Sequence, residues 1–339
     1  MRGMSDSTPR WPASIADDTQ LDDMLSAPSP AAIDAMRDLR GDLIVLGVAG
    51  KMGPTLARMA RRASDAAGVT RRVIGVARFS DPTHEAALDG GLVERLPDAP
   101  LVVYMAGRKF GSTGLESLTW AMNAWLPAVV CRRYAGSRIA AFSTGNVYGL
   151  TPVGHGGSQE GDAVSPVGEY AMSCLARERM FEHFSRSHGT PVSILRLNYA
   201  TEMRYGLLVD LARKIAAGSS IELAMGHANV IWQGDANAMS LVALSHASSP
   251  PYVVNIAGRD ELSVRDVCLA LGARLGHEVR FTGAEAGDAL LSNGSKGWTD
   301  LGAPQVELAQ LIDWTADWIS RGGASLGKPT HFESRDGRF

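Results

Sequence analysis

Cysteine, charge of one sign and long apolar runs are all scarce in this chain. Its 339 residues hold three cysteines, Cys131, Cys174 and Cys268, whose spacing gives neither a pairing pattern nor a metal-ligand set, so no metal site is expected. A net charge of -3 with scattered Lys and Arg leaves no basic stripe, which argues against nucleic acid or an anionic membrane as partner. No apolar run approaches the roughly 20 residues that cross a bilayer. Met1 to Pro30 is polar, Asp-rich and Pro-punctuated, without the apolar centre of a signal peptide, and the expected compartment is a reducing cytoplasm. Repeats, coiled-coil heptads and low-complexity tracts are also missing. What the chain does have is 45% apolar residues, enough for one large α/β unit or two closely joined domains.

Those apolar residues fall in alternating patterns. Leu43-Ile44-Val45-Leu46-Gly47 is the continuous β-branched and aliphatic run of a strand buried on both faces of a parallel sheet. Similar runs stand at 73–76, 101–105, 138–142, 192–195 and 252–256, separated by helical patterns at 54–66, 115–133, 167–187, 207–217 and 235–245. The alternation predicts an α/β fold with a doubly wound parallel sheet. Residues 1–28 read as a mobile arm with a short helix, and Ser29-Pro30 as the N-cap and first turn of a helix through Leu39. Ser263 to Asp266 resembles a capping box, and Asp235 reads as an N-cap. Trp314 and Trp318, spaced i,i+4 in a helix over 308–319, read as core anchors, and the Gly-rich tail after Arg321 is expected to fray.

Gly47-Val-Ala-Gly50-Lys51-Met52-Gly53 lies between the first strand and the first helix of the sheet. Glycine there permits a tight turn and close approach of main chain to a pyrophosphate, while the helix start supplies amide donors. At the end of the second strand, Ala77-Arg78 offers no carboxylate to a ribose 2′-hydroxyl; Arg78 is placed to pair with a 2′-phosphate and Lys51 to add to it, favouring NADP over NAD. Further on come Tyr104-Met-Ala106-Gly107, Thr119-Trp-Ala-Met-Asn123, Phe142-Ser143-Thr144-Gly-Asn146-Val-Tyr148-Gly149, then Glu160, Pro166 and Tyr170, and finally Arg196-Leu-Asn198-Tyr199.

In that order the motifs resemble the extended short-chain dehydrogenase/reductase family of the epimerase/dehydratase type, over roughly residues 41–320. The resemblance implies a Rossmann-like domain over 41–200, joined again by 230–260, with a smaller substrate subdomain from 201–229 and 261–339, and 1–40 as an arm. It makes Tyr170 the acid/base and Thr144 the group that hydrogen-bonds the substrate oxygen. Asn123 becomes a helix asparagine that helps order the site, and a homodimer would form on the helices carrying Asn123 and Tyr170. Together these readings give a cofactor site of Gly47, Gly50, Lys51, Met52, Gly53, Ala77, Arg78, Ala106, Gly107, Ser143, Tyr170 and Asn198. The substrate site comprises Thr144, Asn146, Tyr199 and Arg204.

One position departs from the family. Four residues after its active-site tyrosine the family carries Lys, and this chain carries Cys174. Cys174 shares the helix face but is short and normally neutral, and it reads as an apolar filler rather than a nucleophile. Deprotonating an unassisted tyrosine at pH 7 costs about 4 kcal/mol, at roughly 1.36 per pKa unit. Three outcomes stay open. A cation from Arg108 or Lys109 replaces the lysine, with Lys109 the favoured one; Tyr170 stays protonated and acts as acid or hydrogen-bond donor; or the site binds cofactor without catalysis. The expected activity is hydride transfer at a carbinol carbon of a sugar or sugar acid, as dehydrogenase, epimerase or dehydratase. The alternative is a non-catalytic dinucleotide sensor. Few basic residues mark the expected substrate region, which argues against a diphosphate-linked sugar.

Overall fold

The computed structural model describes residues 11–77, 91–109 and 114–337. Its centre is a parallel sheet of six strands: β1 (Leu43–Leu46), β2 (Val73–Val76), β3 (Leu101–Tyr104), β4 (Arg138–Thr144), β5 (Val192–Leu197) and β6 (Tyr252–Ile256), ordered β6-β5-β4-β3-β1-β2. These are the six runs expected from the sequence. The two-residue period of a strand sends alternate side chains to opposite layers. Leu43 and Val45 of β1 pack among the helices Pro30–Asp38, Gly53–Ala66 and Gln233–His246, while Ile44 and Leu46 pack with Met122, Leu126 and Phe181 on the other face. That second layer consists of α1 (the continuous run of Glu116–Trp120, a π turn Ala121–Trp125, and Leu126–Arg133) and α2 (Gly168–His188).

A third packing centre gathers the segments that leave the sheet. The helices Leu207–Ala216, Val264–Leu275 and Leu308–Ser320 enclose Trp232, Trp314 and Trp318. The chain departs after Leu197 and returns through Gln233–His246 to β6, which pairs with β5.

Five local expectations meet the structure here. Ser29 caps the helix Pro30–Asp38 by accepting from the Ala32 amide, and Ser263 caps Val264–Leu275 by accepting from the Asp266 amide. The arm is not mobile over its described part. Asp17 caps a helix Asp18–Leu25, whose Leu21 and Leu25, with Ile15, are fully buried in the third centre, and Trp11 stands edge-on to Trp314 at 6.1 Å. Apolar burial of this kind is worth roughly 1.5–3 kcal/mol per large side chain, enough to hold a short helix that is marginal alone. Asp235 is not an N-cap. The helix starts at Gln233, and the Asp235 carboxylate accepts from the Gln305 and Val306 amides; burial raises its pKa to about 6. Nor does the tail fray over its described part: Phe332 is only 1% exposed within the third centre.

Candidate active site

β1 is the strand at which the winding reverses, with β2 on one side and β3 on the other, and ligand crevices of such sheets open at the carboxyl ends of the strands beside that reversal. The glycine turn occupies this place. Gly47 has φ +95°, and a Cβ there would lie 2.7 Å from the Ala106 amide nitrogen, so the turn can touch the end of β3 only because it lacks a side chain. A Cβ on Gly53 would lie 2.2 Å from the Val48 carbonyl oxygen, which seats the helix Gly53–Ala66 against the turn. No side chain caps that helix, whose first amides stand at the turn.

A cavity of about 290 Å³ opens above. Gly47, Gly50, Lys51 and Met52 form one end; Lys109, Ser143, Thr144, Asn146 and Tyr170 form the other; Asn198, Tyr199, Tyr205 and Thr330 close it from the subdomain side. The fold therefore gathers eleven of the residues singled out in the sequence on one wall. Gly53, Ala77, Ala106 and Gly107 stand off it, the first, third and fourth as packing behind the wall. Arg78 lies outside the described residues. Arg204 is off the wall too: its guanidinium pairs with Glu202, Asp22 and Asp18, so three carboxylates already take the charge that an anionic substrate would need.

Lys51 points across the cavity rather than along the turn. Its ammonium donates to the Lys328 carbonyl at 3.1 Å and lies 4.5 Å from the Tyr205 ring centroid. Lys109 stands 5.4 Å from the Tyr170 ring centroid. Burial brings the pKa of each lysine down to about 8, and the charge of Lys51 also depresses Lys109.

Burial, more than anything else, holds the Tyr170 pKa far above the usual tyrosine value, and the neighbouring Cys174 adds to this; the Arg177 guanidinium and the nearby Thr144 hydroxyl pull it down. The Cys174 thiol is fully buried and likewise raised by burial, which makes it a neutral filler. The Thr144 hydroxyl donates to Asn146 Oδ1 at 2.8 Å.

Arg177 is the residue that sequence reasoning missed. It lies seven positions after Tyr170 and three after Cys174, on the same helix face, so counting one turn beyond the empty lysine position would have found it. It is buried, donating to the Phe142 carbonyl at 2.9 Å and to Asn123 Oδ1 at 2.7 Å. A Cβ on Gly107 would lie 2.2 Å from its terminal nitrogen. Asn123 sits inside the π turn, a distortion that recurs at functional sites. Its amide also donates to the Arg108 carbonyl and to Ser173 Oγ, and its oxygen accepts from the Arg108 amide. Asn123 thereby ties the loop bearing Lys109 to the helix bearing Tyr170.

Below Ser143 lies a second network, which joins two residues of the sequence motifs through Glu178. Ser143 Oγ donates to Glu178 Oε1 at 2.6 Å, and Arg196 clamps both oxygens of Glu178 at 3.0 and 2.8 Å, with both partners buried. Glu160 acts from outside the cavity: it accepts from the Asn255 amide, while the Asn255 side chain accepts from the Tyr148 hydroxyl at 2.8 Å.

No curated protein matches the chain in sequence. Solved structures do match its fold. A UDP-glucose 4-epimerase of Thermotoga maritima, determined with UDP-glucose, is 19% identical with a TM-score of 0.68, and the match covers 83% of this chain and 99% of that one. A dTDP-glucose 4,6-dehydratase of Bacillus anthracis in complex with NAD is 16% identical, with a TM-score of 0.68 and coverage of 83% and 97%. RMD of Pseudomonas aeruginosa, complexed with NADPH, is 18% identical, with a TM-score of 0.66 and coverage of 82% and 99%. The profile of the NAD dependent epimerase/dehydratase family matches residues 43–257, a span that begins with β1 and holds the glycine turn, Thr144 and Tyr170. With well over half its length matched in this way, the chain belongs to the NAD dependent epimerase/dehydratase family.

Proposed function

We propose that the chain is a nicotinamide-dinucleotide enzyme acting at a carbinol carbon of a sugar or sugar acid. The reaction is either net oxidoreduction or a transient oxidation within epimerisation or dehydration. The observation that carries this reading is that Tyr170 and Thr144 line the same cavity as the glycine turn. The residues present suit a dinucleotide. Gly47 and Gly50 leave main chain bare beside the uncapped helix start, the arrangement that receives a pyrophosphate. When bound, the nicotinamide supplies the hydride acceptor or donor.

The chain supplies the proton handling. Thr144 orients the substrate oxygen. Tyr170, held as a protonated phenol by burial, is poised to give its proton to a carbonyl oxygen. To act in the oxidising direction it must release that proton, and the Arg177 charge and the nearby Thr144 hydroxyl lower the cost. Lys109, beside the Tyr170 ring, takes the work of the lysine that Cys174 replaces. Leu115 and Trp125 on or beside α1, and Val167 and Met172 at α2, are exposed, which supports a homodimer on this helix pair.

Tyr170→Phe tests the assignment. Nicotinamide fluorescence should show cofactor binding within about twofold of the parent, while turnover of the carbinol substrate falls by roughly 10²–10⁴; unchanged turnover would refute the role. Titration with NADP and with NAD in the same assay tests the preference ascribed to Arg78, which tighter NAD binding would sink. Cys174 at the lysine position favours a second reading, a dinucleotide sensor. Cofactor binding with no turnover across a panel of sugars and sugar acids would select it.

A further inference from the structure

The segment after the last helix crosses the mouth of the cavity as a strap. The Leu326 amide donates to the Arg204 carbonyl at 3.1 Å, and the Lys328 carbonyl receives Lys51. Thr330, which lines the cavity, donates through both its amide and its hydroxyl to Asp210 Oδ2, at 2.7 and 2.6 Å. Phe332 is buried in the third core, Glu333 pairs with Lys214, and Arg335 pairs with Asp288 and donates to the Ala224 carbonyl at 3.0 Å. The strap ends against the start of the Tyr170 helix. There Gly337 and Gly168 both have positive φ, and a Cβ on Gly168 would lie 2.6 Å from the Gly337 oxygen.

This path decides how far a substrate reaches. A substrate whose reacting carbon lies at Thr144 and Tyr170 and whose remainder runs away from the glycine turn passes Asn146. Asn146 also lines the next hollow, between Leu290 and Val167, and there Ser334, Arg335 and Gly337 leave only about 10 Å³, the room of a single water. The main cavity, about 290 Å³, is at the small end of ligand sites, which run from roughly 300 to 1,000 Å³, and the nicotinamide end of the cofactor must share it.

We propose that residues 326–337 are the specificity element of this site, closing it to nucleotide-linked sugars and restricting the substrate to a single unconjugated sugar or sugar acid. The inference rests on the carbinol-oxidation reading above and narrows its substrate.

The test is calorimetric titration of the cofactor-loaded full chain with UDP and with UDP-glucose, beside absorbance assays with unconjugated sugars and sugar acids. Neither UDP compound should bind at about 1 mM, a free energy weaker than roughly -4 kcal/mol, and turnover should appear only among the unconjugated compounds. Binding of UDP-glucose at about 0.1 mM or tighter would overturn the proposal, whether or not the strap moves. Arg335→Ala, which unties the strap from Asp288, should allow UDP-glucose to bind at least tenfold more tightly than the parent; a chain ending at Leu326 serves the same purpose if the point variant leaves the strap in place. Unaltered exclusion in a folded, strap-free chain would also overturn it. Failure of the underlying reading looks different: cofactor binds and no carbinol of either class is turned over, while exclusion of UDP-glucose is still measured independently.

Discussion

At the glycine-turn end the cavity wall is main chain, held in place by what Gly47 and Gly53 lack, whereas at the tyrosine end it is side chains held by other side chains. Tyr170 leans on Thr144 and Cys174, Thr144 on Asn146, Asn123 on Arg177, and Ser143 on Glu178 and Arg196. The first kind of wall tolerates many neighbours so long as no Cβ intrudes. The second requires every polar partner, because a buried donor or acceptor left alone costs about 1–3 kcal/mol, and a buried charge more. Cys174 meets that requirement as a buried neutral thiol, and the Arg177 guanidinium one turn later carries positive charge to the same region.

The comparison can be broken at either end. The largest loss is expected for Glu178→Ala, which leaves the Arg196 guanidinium buried and unpaired. Urea unfolding should register about 3–5 kcal/mol, and a loss under 1 kcal/mol would mean that the tyrosine end does not depend on this pair. Gly47→Ala should cost less, about 1–3 kcal/mol from overpacking against Ala106. It should abolish measurable cofactor binding because the turn is pushed off β3; retained affinity would show that the close approach is dispensable.

The smallest effect concerns protons. The folded, cofactor-free pKa of Lys51 and Lys109 is about 8 against an ordinary 10.5, so the unfolded chain binds more protons between those values, and stability from these groups rises as pH rises from about 8 to 10. An anionic pyrophosphate restores the charged forms. Cofactor binding at pH 8.5 should therefore take up a fraction of a proton, seen as a buffer-dependent heat, with none at pH 6.5. Lys109→Ala should reduce the uptake, and equal heats in all buffers at pH 8.5 would contradict the lysines' exposure to the cofactor.

Much of this was legible in the sequence because it is local. Strand runs such as Leu43 to Leu46, the caps at Ser29 and Ser263, and the glycine spacing are written in residues that are neighbours along the chain, and the order of Gly47, Thr144 and Tyr170 names the family's site. Asp235 and Arg204 misled because their partners, the Gln305 and Val306 amides and Asp22, are distant in sequence. The arm and the strap misled for the opposite reason. Their composition is that of a frayed end, and only a core supplied by other segments makes Leu21, Leu25 and Phe332 worth burying.

By itself, then, the sequence determined the doubly wound sheet, the glycine turn at its reversal and the tyrosine-threonine pair, since strand period, helix caps and small-residue spacing act over a few residues. Tertiary structure alone decided that Arg177 is held by the Phe142 carbonyl and Asn123, that Lys51 turns toward residue 328, and that Thr330 of the last segment lines the cavity. Those outcomes depend on which distant groups come within a few ångströms once the apolar faces are buried, and no local pattern encodes that.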